Sequence, residues 1–284
     1  MSWLEVIVLA VVQGLTEFIP ISSTAHMRIV PALLNWPDPG AAFTAVIQIG
    51  TLAAVISYYW RDIVRILLAM LADLRRGKLA TTHDALLGWM IAWGTVPIVA
   101  FGFLFRHQIK SELRSLYVVS AALAGIAILL AIVELIIRRR EAMGRQGRDV
   151  SQVTWRDATA VGFAQAVALV PGSSRSGSTI LGGLISGLSR EAAARFSFLL
   201  SIPAVFAAGV FELIEARHEL LASSHDAAKL LVAIVVAGVV GYATIPWLLG
   251  YLRRRTTLVF IVYRLILAAV LLGLLFSGRL LPTS

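Results

Sequence analysis

The stretch QGLTEFIPISSTAHM, residues 13–27, places Glu17, Ser22, Ser23, Thr24 and His26 within ten residues of one another. Gln13 precedes Glu17 by four residues, so both fall on one helical face just before Pro20 ends that helix. A second stretch, VPGSSRSGST (170–179), sets Arg175 among Ser173, Ser174, Ser176 and Thr179. The arginine offers a planar fork of donors suited to phosphate or carboxylate. The hydroxyls, with backbone N–H groups after Gly172 at a helix start, complete an anion cradle. Ser22 and Thr24 add hydroxyls from the first stretch, and Ser23 lies three residues before His26, within reach of a nucleophile–base pair if that segment is helical. Glu17 is a hard oxygen ligand for Mg²⁺ or Ca²⁺, with Gln13 as a second ligand, or else a carboxylate that orients the histidine. Hydroxyl-rich Gly-Ser segments also serve plain helix packing. The arginine and histidine tip the reading towards phosphoryl chemistry on a bound anion.

Those polar stretches sit between apolar flanks, VGFAQAVALV before Pro171 and ILGGLISGL after Thr179. Polar backbone and a cation at membrane depth are costly unless they line a protected or wet cavity. The whole chain agrees. Of its 284 residues 58% are apolar and 14% charged, against about 25% charged in a soluble domain, which marks an all-α polytopic membrane protein. The net charge of +9 sits in short runs between apolar segments, so it reads as topology and not as a nucleic-acid surface. MSWLEVIVLA lacks a basic leader region, and no cleaved signal peptide is expected. Without cysteine, disulfides and thiolate metal sites are excluded.

Six segments are long enough to cross a bilayer: about 42–60, 86–106, 115–137, 192–216, 227–249 and 257–277. Two broken pairs, 2–18 with 22–34 and 155–169 with 176–188, read as re-entrant helical hairpins, eight kinked spans being the competing reading. Sixteen basic residues flank the spans on one side, among them Arg61, Arg139, Arg190 and Arg254, and seven flank them on the other, including Arg28, Lys110 and Arg114. The positive-inside rule makes the sixteen cytoplasmic and both termini external. Arg175 and Arg264 fall inside apolar sequence. Glu17 pairing with Arg264 would be an ordinary structural use of both.

The chain also repeats. PISSTAH (20–26) matches PGSSRSG (171–177), FTAVIQIG (43–50) resembles FSFLLSIP (196–203), and TVP (95–97) resembles TIP (244–246), at offsets of 151, 153 and 149 residues. One integral-membrane domain over 1–284 then holds two repeats, about 1–137 and 155–277, each a hairpin followed by three spans. Three is odd, so the halves are expected to be inverted, with both hairpin tips meeting near the midplane.

QGLTEFIPISSTAH, FTAVIQIGTLAAV, QAVALVPGSSRSGSTI and FSFLLSIP together resemble the bacterial undecaprenyl-diphosphate phosphatase family of the bacitracin-resistance type. The family's acidic motif falls on Gln13 and Glu17, its histidine on His26, and its proline-glycine-x-serine-arginine-serine-x-x-threonine motif on Pro171 through Thr179. Gln13 stands where many members carry glutamate, which weakens any scheme needing two acidic metal ligands. The resemblance implies hydrolysis of undecaprenyl diphosphate to the monophosphate in the bacterial inner membrane. It also implies recycling of the lipid carrier of cell-wall synthesis and a site opening to the outer face. Ser23 attacking phosphorus with His26 as base, and direct attack by His26, both remain open at this stage. So does a lipid flippase or secondary transporter using the same midplane anion site. The expected partners are the polyprenyl diphosphate and membrane lipids, with a homo-oligomer compatible and no nucleic acid.

Overall fold

A computed structural model describes residues 1–220 and 223–281, apart from the side chains of Lys110, Glu112 and Glu219. The described residues are helical, with no β-strand among them. Helices α1 (Trp3–Thr16) and α2 (Ser23–Leu34) are followed by α3 (Gly40–Tyr58), α4 (Trp60–Arg75), α5 (His83–Leu104), the short α6 (Arg106–Lys110) and α7 (Leu116–Ala142). Then come α8 (Trp155–Val167), α9 (Arg175–Ile185), α10 (Arg190–Glu215), the short α11 (Arg217–Leu220), α12 (Ser224–Arg254) and α13 (Leu258–Phe276).

Six helices are long and apolar enough to cross a membrane: α3, α5, α7, α10, α12 and α13. They coincide with the six expected segments. At 14, 12, 13 and 11 residues, α1, α2, α8 and α9 rise only about 16–21 Å, short of a hydrocarbon core of about 30 Å. One expectation fails at the loop after α3. Arg61, Arg65 and Arg75 belong to helix α4, which buries Ile66 near Gly88 of α5 and leaves Trp60, Leu67, Leu68 and Leu71 exposed. The run of charges drew attention to a loop, while the apolar residues between them keep helical spacing.

Glycine lets these helices approach closely. A Cβ on Gly50 of α3 would lie 2.0 Å from the Ile234 carbonyl oxygen of α12, and one on Gly162 of α8 would lie 2.6 Å from the Gly94 oxygen of α5. Such contact through small residues is how helices associate without a solvent-driven force between them. The neighbours pair off evenly: α1 and α3 pack on α12, α8 and α10 pack on α5, α7 packs on α13, and α3 on α10.

The two short-helix pairs also turn alike. Each second helix opens on a serine cap with positive φ, Ser22 at φ 74°, ψ 92° and Ser174 at φ 71°, ψ 118°. Each cap hydroxyl accepts an N–H from three residues on, Ala25 or Gly177, and meets the hydroxyl two residues on, Thr24 or Ser176. Conformation therefore matches Ser22 with Ser174 and Ser23 with Arg175, one residue away from the register that the prolines suggest. Gly172, at φ 96°, absorbs the extra residue; a Cβ there would sit 2.4 Å from the Val119 oxygen of α7.

Candidate active site

Glu17 caps the C-terminal end of α1, where Pro20 prevents the helix from continuing. Its carboxylate is buried and takes three donors. Gln13 Nε2 and Ser23 Oγ each donate to Oε2 at 2.6 Å, and Arg175 Nη2 pairs with Oε1. Ser23 and Arg175 are the first residues of α2 and α9, so two helix N-termini, with their unpaired N–H groups, meet at this carboxylate. Removing one partner of such a buried ion pair costs about 3–5 kcal/mol, because the other charge is left stranded. An anion that displaced the carboxylate from Arg175 would keep the arginine paired.

The expected Ser23–His26 contact is absent. His26 Nδ1 lies 2.7 Å from the Ser22 carbonyl oxygen and Nε2 lies 2.6 Å from the Tyr263 hydroxyl, while Ser23 bonds to Glu17. Spacing allowed the pairing, since residues three apart share a helical face. The reversal of the chain at Pro20 brings the stronger acceptor closer, and the carboxylate wins.

The remaining cradle residues divide. Ser22 and Ser174 are caps, and Thr24 and Ser176 close hydroxyl pairs with them; Ser176 also donates to the Ile19 oxygen, stitching the two turns together. Thr179 is turned away, donating to the Arg175 oxygen at 2.6 Å and meeting Ser197 Oγ at 2.5 Å. Ser173 is buried in the turn itself. Of the second-stretch side chains, Arg175 alone reaches the carboxylate.

The sequence reading singled out Arg264 without giving it a role in the site, and it missed Tyr263. Arg264 of α13 is fully buried and donates to five carbonyl oxygens: Leu123 and Ala122 of α7, Pro20 of the first turn, and Gly172 and Ser173 of the second. It ties both turns to the helices behind them, and the alternative Glu17–Arg264 pairing does not form. Its neighbour Tyr263 meets His26. A tyrosine–arginine pair in a segment as apolar as LVFIVYRLILAAVLL was the available signal.

A cavity of about 460 Å³ adjoins the turns, reaching Thr24 from the first and Pro171 from the second. Ile98, Val99, Phe103 and Phe211 give it greasy walls, and Arg28, Arg106 and Arg114 supply cations. Arg28 and Arg114 both engage Asp38, which holds that cationic rim in place. An apolar hollow with a polar floor and a basic rim suits an amphiphilic anion.

The donor set does not fit a protein-held divalent cation. Both Glu17 oxygens are occupied by protein donors, and among the described residues no three His, Cys, Asp or Glu side chains gather as ligands. Gln13 Oε1, buried and without a hydrogen-bond partner, is the one acceptor left over in the cluster. What the arrangement offers is a hydroxyl held by a carboxylate base, with an arginine across the same carboxylate: the parts of a nucleophile and its anion clamp.

Comparison with known proteins places the chain in a family. The chain is 54% identical over 282 residues to an undecaprenyl-diphosphatase of Chlorobaculum tepidum, covering 99% of this chain and 100% of the relative. It is 55% identical over 282 residues to the protein of that name from Chlorobium phaeovibrioides, with the same coverage. With the one from Prosthecochloris aestuarii it shares 54% over 279 residues, 98% of this chain and 99% of the relative. The family model described as bacitracin resistance protein BacA matches residues 6–270, and the chain belongs to that family.

Proposed function

We propose that this chain is an integral-membrane undecaprenyl-diphosphate phosphatase: it cleaves the lipid diphosphate to undecaprenyl phosphate and inorganic phosphate, and so confers bacitracin resistance. The observation that carries this is the identity above 50% over essentially the whole length with relatives of that activity. The site supplies a route. The terminal phosphate of the substrate takes Arg175 from Glu17, and the freed carboxylate then accepts the Ser23 proton. Ser23 Oγ attacks the terminal phosphorus, and the bridging P–O bond breaks to release undecaprenyl phosphate. Water then attacks the phosphoserine, and Glu17 returns its proton to Ser23 Oγ as inorganic phosphate leaves. Arg175 holds the charge that builds on the phosphoryl oxygens. The cavity beside the turns receives the first isoprene units.

The inferred membrane arrangement has α1–α2 and α8–α9 as re-entrant hairpins of two inverted repeats, about 1–137 and 155–277, with both termini external. Its support is the sorting of contacts. Both ends of the α8–α9 pair gather at Arg148, which meets Asp157 at 2.7 Å and the Ser186 oxygen at 2.7 Å. That is the end where Arg190 meets Glu134 and Glu141 and Arg253 meets Glu191. The N-terminus lies with the start of α12 instead, through Lys229 Nζ on the Met1 oxygen at 2.5 Å.

The test is phosphate release by purified protein in detergent micelles containing undecaprenyl diphosphate. Turnover without a second compartment is the expected result. A transporter would release none, and that outcome would overturn the proposal.

A further inference from the structure

The His26 imidazole has both nitrogens spoken for, and the identity of its partners fixes which one carries the proton. The Ser22 carbonyl oxygen, 2.7 Å from Nδ1, can only accept, so Nδ1 bears the hydrogen. In the neutral ring Nε2 then has a bare lone pair, and the Tyr263 hydroxyl at 2.6 Å donates to it. The two rings lie nearly parallel, 8° apart with centroids at 5.6 Å, so stacking and the hydrogen bond act together. Tyr263 is followed by Arg264, whose bonds to Pro20, Gly172 and Ser173 anchor the same stretch of α13 against both turns. The tyrosine is thus placed by an element that also places the site.

We propose that Tyr263 is the positioning residue of His26. It locks the ring as the Nδ1–H tautomer, and its hydroxyl occupies the Nε2 lone pair, which masks that nitrogen from becoming a nucleophile itself. The proposal rests on the phosphatase reading for its effect on turnover, though not for the tautomer. Hydrogen-bond partners on the far ring nitrogen fix ring orientation and tautomer at metal-bound histidines, and losing them there costs roughly 10- to 100-fold. A like loss is expected here.

The experiment has two arms on the full chain in detergent. In wild type labelled with ¹⁵N-histidine, the His26 resonances, identified by their loss in His26→Gln, report the Nδ1–H tautomer. That is the less favoured one for histidine in water. Finding the Nε2–H tautomer would overturn the proposal without any tyrosine variant having to fold. In the second arm, Tyr263→Phe keeps the ring and deletes the hydroxyl. The expected outcome is a kcat lowered roughly 10- to 100-fold with KM within about 2-fold, and shifted His26 resonances. Unchanged kcat in a folded Tyr263→Phe protein overturns the positioning role. Should wild type itself release no phosphate, the phosphatase reading fails while the tautomer arm still decides the Tyr263–His26 pairing.

Discussion

Ser23 Oγ and the Glu17 carboxylate meet at 2.6 Å across the first turn, six residues apart in sequence and on two different helices. The proposed choice of Glu17 as base rests on that contact. A hydroxyl becomes a competent nucleophile when an adjacent acceptor takes its proton, and the nearest strong acceptor is the carboxylate rather than the imidazole. Glu17 also holds Arg175, so the state with no anion bound keeps both groups neutralised and ready to exchange partners.

Replacing Glu17 by glutamine keeps the size while removing the base, the charge opposite Arg175 and one of the two acceptor oxygens. Glu17→Gln is expected to lower kcat on the order of 10²- to 10⁴-fold, the usual worth of a positioned acid–base group. Steady-state phosphate release checks it. Retention of more than a tenth of wild-type kcat would assign the base elsewhere.

Arg175→Lys preserves charge and loses the planar fork. Lysine acts as a point charge and cannot grip two phosphate oxygens, so turnover should fall on the order of 10²-fold or more, in line with the loss of one preorganised donor. Near-wild-type turnover would make Arg175 a structural partner of Glu17 and nothing more.

Arg264 is expected to matter through stability and not through phosphate contact. Its guanidinium serves five carbonyls on three segments, and no carboxylate lies within salt-bridge reach among the described residues. Lysine cannot span that set. Arg264→Lys should therefore lose roughly 3 kcal/mol or more of stability, since hydrogen bonds to charged groups are worth about 1.5–3 kcal/mol each. Thermal unfolding in detergent measures it, and an unchanged midpoint would refute the clamp.

Because the chain contains no cysteine, single cysteines report topology cleanly. With an impermeant thiol reagent on intact cells, Ser2→Cys should label, whereas Arg139→Cys and Arg254→Cys should not. Labelling at 139 or 254 but not at 2 would reverse the orientation and undo the case for inverted halves.

Much of the fold was legible in the sequence, because apolar length is nearly the whole signal for a membrane helix. The six long helices fell where hydropathy put them, and the short pairs fell on either side of Pro20 and Pro171. Helix α4 was hidden because its arginines look like loop charges until Leu67, Leu68 and Leu71 are placed on a helical wheel. The site was legible as a set of residues and not as a set of bonds. Gln13, Glu17, Ser23 and Arg175 do converge, but their partners depend on how sharply the chain turns between Thr16 and Ser23, which composition does not encode. Tyr263 and Arg264 lie more than 230 residues from His26 in sequence, so only the packing of α13 on α7 brings them to the turns.

The central claim, that Ser23 activated by Glu17 takes the phosphoryl group, is tested most directly by trapping the covalent intermediate. Substrate labelled in its terminal phosphate would be quenched on the enzyme and the labelled peptide mapped. The account predicts an acid-stable, base-labile label on Ser23 that disappears in Ser23→Ala together with turnover. An acid-labile, base-stable label on His26, or a labelled intermediate that survives in Ser23→Ala, would contradict it and make the imidazole the nucleophile.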